Sequence, residues 1–244
     1  MQRPQIMTGF AGLLVLIIGV WAILASQDVR DKTVTLTFQA QMGGEPLVYD
    51  QFIYDNPGGE GVFEIHDFKF FISNLSLSQG GETYVVPDSY HLLRFDNESL
   101  SHSITLTDVP LRDVEYLRFL VGLDAQANTS PEMRDKLDPE GQMAWNREDG
   151  YKFVIFEGAL RIGETVSLLT YHVGFSENTR EISVSLPAQH DTGGKTEIAL
   201  TVDLSKLFAG SYEVDMGALP SVDFDRDDAS MLADNYATMV SFGF

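Results

Sequence analysis

The chain has 244 residues, 44% of them hydrophobic and 11% aromatic, which is enough for a packed core and excludes disorder for the bulk of it. Its formal charge of −20 repels phosphate backbones, so nucleic-acid binding is set aside and cations or a basic partner are favoured. There is no cysteine, which excludes disulfides, thiolate metal sites, cysteine nucleophiles and a lipidated cysteine anchor, and leaves His, Met, carboxylates and carbonyls for any metal.

In chain order, nothing between Gln5 and Ser26 is charged, and residues 9–25 read GFAGLLVLIIGVWAILA behind a basic Arg3. Residues 1–27 therefore read as a secretory signal peptide or an uncleaved N-terminal membrane anchor, an apolar export helix in either case. The following domain, 31–244, is expected on the non-cytoplasmic side, in the periplasm or at the extracellular face.

After residue 30 the pattern is that of strands. Val34, Leu36 and Phe38 alternate with Thr35, Thr37 and Gln39, as in a half-buried strand. Further strands are expected over Val62–Ile65, Lys69–Leu77, Thr83–Leu93, Ile104–Leu106, Tyr116–Val121, Tyr151–Leu160, Thr165–Gly174, Ile182–Leu186 and Glu197–Val202. Turn signals punctuate them at Pro57-Gly58-Gly59, Gln79-Gly80-Gly81, Arg161-Ile162-Gly163 and Gly193-Gly194. Two short helices are expected, near Pro131–Leu137 and over Asp227–Thr238, the second opening on acidic residues that suit a helix N-terminus. Many short strands with this spacing predict one all-β domain, an antiparallel two-sheet β-sandwich.

Local catalytic motifs are missing. There is no Gly-x-Ser-x-Gly elbow, no phosphate-cradling glycine loop with its Lys and no His-Glu-x-x-His pair. The five histidines, His66, His91, His102, His172 and His190, are too far apart in sequence for a local two-His motif, so a metal site must be assembled from distant strands. The acidic run Asp223-Phe224-Asp225-Arg226-Asp227-Asp228 lacks the glycine and terminal Glu of a calcium loop and contains Arg226; it reads as a helix-capping loop. The segment LDPEGQMAWNREDGYKFVIFEG, 137–158, holds Trp145, the sole tryptophan outside the export segment.

That segment resembles the MbnP family, secreted proteins associated with methanobactin and copper handling. The resemblance extends over FEIHDFKFFISNLSL at 63–77, YHLLRF at 90–95, FLVGLDAQAN at 119–128, YHVGF at 171–175, DLSKLF at 203–208 and MLADNYATM at 231–239, in order and at family-like spacing. It implies a binding protein and not an enzyme. Family members carry a Trp-x-Trp motif before Gly-Tyr-Lys-Phe, whose first Trp is oxidised to kynurenine by a dihaem partner enzyme of the MauG class (MbnH). Cu(I) then binds at a site that depends on this change. Counting back from Gly150, the first position is Trp145 and is retained; the second is Arg147, a departure that puts the modification in doubt.

The chemistry is intelligible. An intact indole nitrogen is a poor ligand, whereas ring opening yields an aryl amine and a ketone. Neutral imidazole and thioether suit Cu(I), which takes few, soft ligands. The resemblance makes His172 the leading imidazole, followed by His66 and His91, with Met143 as thioether. Metal bonds of ~2 Å each require the His172 imidazole within about 10 Å of the Trp145 ring. The alternative, favoured by Arg147 and the few histidines, is a metal-free recognition or structural module of the cell envelope.

Overall fold

The computed structural model describes residues 32–129, 137, 141–146, 150–187 and 194–243. The export segment, most of the helix expected near Pro131, Arg147 and His190 lie outside the described residues. No described helix is long and apolar enough to cross a membrane.

Two sheets face each other. The smaller contains β1 (Lys32–Met42), β2 (Glu45–Pro46), β7 (Ser101–Val109), β13 (Lys195–Asp203) and β15 (Val240–Phe242). Its order is β15-β13-β1-β2, and β7 pairs with the edge of β1 that faces away from β13. The larger contains β3 (Tyr54–Asp55), β4 (Val62–Gln79), β5 (Glu82–Val85), β6 (Tyr90–Phe95), β8 (Tyr116–Val121), β9 (Ala144–Asn146), β10 (Gly150–Ile162), β11 (Thr165–Gly174), β12 (Arg180–Ser185) and β14 (Ser221–Val222). Its order is β12-β8-β4-β10-β11-β14; β3, β5 and β6 also pair with β4, and β9 pairs with β10. The described helices are α1 (Ala125–Thr129), α2 (Ser205–Phe208) and α3 (Arg226–Tyr236), with a 3-10 turn at Ser176–Asn178.

The fold is all-β, as the alternation in β1 predicts: Val34, Leu36, Phe38 and Ala40 are all fully buried. It is not wholly antiparallel. β1 pairs with β13 in parallel, and β11 with β14. The strands expected at Val62–Ile65 and Lys69–Leu77 are one continuous β4, carried past a bulge where Asp67 opposes Glu157 and Ile65 opposes Gly158, leaving His66 as the extra residue. Conversely, the strand expected over Thr83–Leu93 is broken into β5 and β6 at Pro87-Asp88, where Asp88 has φ 47°.

Both inner faces share one core. Phe63, Phe156, Tyr171 and Phe208 interlock in it with ring centroids 4.8 to 6.1 Å apart. Each such side chain contributes about 1.5–3 kcal/mol on burial. A second, smaller cluster lies on the outer face of β4 and β10: Phe71, Leu123, Ala127, Leu137, Met143, Tyr151, Phe153 and Ile155. It seats the segment that carries Trp145.

Candidate functional site

β9 and β10 form a tight hairpin that returns Trp145 over the sheet, with Asn146 paired to Gly150 and Ala144 to Tyr151. The hairpin is clasped from outside. Asn128, buried at the end of α1, accepts a hydrogen bond from Tyr151 N at 2.9 Å and donates to Ser176 Oγ at 3.2 Å. Gly150 is obligatory there: its φ is +76° and a Cβ would lie 2.5 Å from Asn128 Oδ1. Asp124 caps α1, accepting from Gln126 N and Ala127 N at 3.0 Å each and from Tyr90 Oη at 2.8 Å. Although burial acts to raise the Asp124 pKa, the donors Ala127, Tyr90, Gln126 and Asn74 hold it below the usual carboxylate range.

The indole of Trp145 is packed on several sides by aromatic rings. Phe224 lies 4.6 Å away, Phe175 stacks on it at 6.0 Å and 18°, and the His172 imidazole meets it edge-on at 5.9 Å. Two cations flank the stack: Lys152 Nζ sits 5.2 Å from the Trp145 ring centre, and the Arg226 guanidinium 4.3 Å from that of Phe175. Phe175 holds φ 68°, a conformation that a bulky residue rarely adopts, and this places its ring on Trp145. Trp145 Nε1 is buried with no hydrogen-bond partner among the described residues, a cost of about 1–3 kcal/mol for an amide-like donor.

His172 stands between two carboxylates, with Nε2 3.0 Å from Glu157 Oε1 and Nδ1 3.5 Å from Asp223 Oδ1. Its side chain is 13% exposed, whereas the carboxylates are about half exposed. The Glu157 contact matches the carboxylate that commonly orients a metal-bound imidazole through its second nitrogen.

The other residues singled out in the sequence are placed as follows. Met143 is fully buried in the outer cluster, and its carbonyl accepts from Lys152 N at 2.7 Å. His66, at the β4 bulge, is bound to Glu64 at 2.9 Å. It lies two strands from His172 and about three positions along from the level of His172, which is that of Lys69. His91 on β6 is three strands away and again offset along the strands, the level of His172 falling at Arg94. Asp225, in the acidic run, is the N-cap of α3, accepting from Asp227 N and Asp228 N. The sequence holds no local signal for Glu157 or Phe175 at the site, although both stand in the family-like segments, and Asp223 and Phe224 read there only as part of the helix-capping acidic run.

A sequence profile of the MbnP family matches residues 31–224. The chain belongs to the MbnP family. Among solved structures it is similar to MbnP from Methylosinus trichosporium, with a TM-score of 0.51 and 15% identity over 76% of this chain and 80% of that one. At that identity the likeness shows the MbnP fold alone. No curated protein sequence matches the chain.

Proposed function

We propose that this MbnP-family chain is an exported copper-binding protein, in which Cu(I) is held by His172 and by Trp145 after its oxidation to kynurenine. It serves copper scavenging, storage or delivery in the periplasm or at the cell surface, and is a binding protein and not a catalyst. The observation that carries the reading is the 5.9 Å approach of the Trp145 and His172 rings, well inside the reach of a shared metal ion.

The residues fit the ion. Trp145 Nε1 is buried without an acceptor, so its conversion to an aryl amine costs no existing hydrogen bond. His172 offers an imidazole already oriented by Glu157. In the conversion the indole C2–C3 bond breaks in a four-electron oxidation, C3 taking up one oxygen as a ketone and C2 another as a formyl amide, both from peroxide or water, and hydrolysis then releases C2 as formate. The oxidising equivalents come from a dihaem partner of the MauG class. Exposed Asp225 and Asp227, with half-buried Asp228, give that end of the molecule an acidic face beside Phe224 suited to a basic partner surface.

The test is peptide mass analysis of the protein purified from its native host. A Trp145 peptide that has gained one oxygen and lost one carbon supports the reading; unmodified Trp145 in copper-replete material overturns it and leaves a metal-free module.

A further inference from the structure

We propose that His91 and His102 form a second metal site, a two-imidazole clamp for a soft monovalent ion such as Cu(I) or Ag(I), at the rim of the sandwich where β6 and β7 meet. It does not depend on Trp145 or on its modification.

The placement follows from strand alternation. β6 belongs to the larger sheet and β7 to the smaller, and a turn closed by Asp96 N donating to Ser99 O at 3.0 Å joins them. Along β6, His91 shares its side with Leu93 and Phe95, both in the main core, while Tyr90 and Leu92 pack against the outer cluster. Along β7, His102 shares its side with Ile104 and Leu106, again in the main core. The two imidazoles therefore enter the inter-sheet space from opposite sheets, at its partly open edge.

Their surroundings separate them from His66 and His172, each of which faces a carboxylate. Neither the His91 nor the His102 imidazole makes a hydrogen bond or ion pair among the described residues, and both residues are partly buried. Burial lowers the pKa of each, and the charge of His102 lowers that of His91 further. With no donor or acceptor on either ring among the described residues, a metal ion takes their nitrogens without displacing an existing side-chain hydrogen bond.

The donor set selects the ion. No group of three or more His, Asp or Glu suited to a metal exists among the described residues. Zinc in a structural site asks for about four ligands and calcium for about six or more oxygens. Two imidazoles brought to the same edge of the core from opposite sheets suit a soft d10 monovalent ion, which is content with two-coordinate, linear binding. The chain's −20 charge raises the local concentration of any cation.

Silver nitrate titrated into the 15N-labelled protein, made without the oxidising partner, tests this. Imidazole resonances are followed by long-range 1H–15N correlation. His91 and His102 signals are expected to shift together and saturate in step. His91→Gln and His102→Gln are each expected to weaken Ag(I) binding about tenfold or more, and His172→Gln to leave this response intact. Stationary or independently moving His91 and His102 signals overturn the proposal, as does unaltered affinity in both folded Gln variants. If a variant fails to fold, the parent titration decides alone. Because the sample carries unmodified Trp145, failure here is distinct from failure of the kynurenine reading.

Discussion

A Cβ on Gly174 would lie 2.6 Å from Trp145 Nε1, and 2.6 Å from the Tyr151 carbonyl oxygen. The indole is thus seated against bare backbone of β11. Gly174→Ala is expected to destabilise the fold by about 1–3 kcal/mol through overpacking. Thermal unfolding followed by circular dichroism checks this; an unchanged midpoint would mean that the indole is not held against this strand.

In kynurenine-modified protein, His172→Gln is expected to weaken Cu(I) retention about tenfold or more against a chromophoric chelator, while the mass change at Trp145 persists. Glu157→Leu removes the partner at Nε2 and is expected to cost roughly 10–100-fold in affinity, as second-shell losses do, with Glu157→Gln restoring part of it through its amide oxygen. Equal affinity across all these variants would move the copper elsewhere.

Met143 separates packing from ligation. Met143→Leu conserves volume and is expected to cost less than about 1.5 kcal/mol, whereas Met143→Ala leaves a cavity worth about 2–5 kcal/mol. Urea denaturation reads both. Retained Cu(I) affinity in Met143→Leu marks the residue as core; loss of affinity in that folded variant would make its thioether a ligand.

The Asp124 clasp gives a pH dependence of definite sign. Its carboxyl is held below its ordinary value in the folded state, so its contribution is complete above about pH 3.9 and is lost as pH falls through the depressed folded value. Tyr90, which donates to it, is pushed up to about 12 by burial and by that same carboxylate. Asp124→Asn is expected to lower stability near neutral pH by about 1–3 kcal/mol and to flatten the acid limb of the stability profile. Denaturant midpoints near neutrality and in acid check this; an acid limb as steep as the parent's would assign it to other carboxylates.

Much of the strand pattern was legible because one face of each strand meets the core, as in Val34-Thr35-Leu36-Thr37-Phe38. Where both faces are covered the alternation fails: β10 buries Phe153, Val154, Ile155 and Phe156 in succession, so periodicity could place a strand there but not the second cluster on its outer face. The break at Asp88 and the bulge at His66 reflect single backbone choices that propensity does not resolve. The meeting of Trp145 with His172 had no local signal, since the two lie on β9 and β11 with β10 between them in sequence; only the family resemblance pointed to it. The parallel partner of β1 was illegible for a similar reason, because contact across most of the chain leaves no mark on either segment.

That parallel pair also sets the order in which the molecule can be completed. Thr37 of β1 finds Ser103 on one side and Ala199 on the other, so a chain emerging from its N-terminus keeps one edge of its first strand unpaired until β13 has emerged. The hairpin of β10 and β11 closes locally and needs no such wait. The β1–β13 pair closes a longer loop than any pair of the larger sheet, which makes the smaller sheet the slow partner in folding. Until then β1 is an open, alternating, hydrophobic edge, and it is where an incompletely made copy of this protein would pair with another.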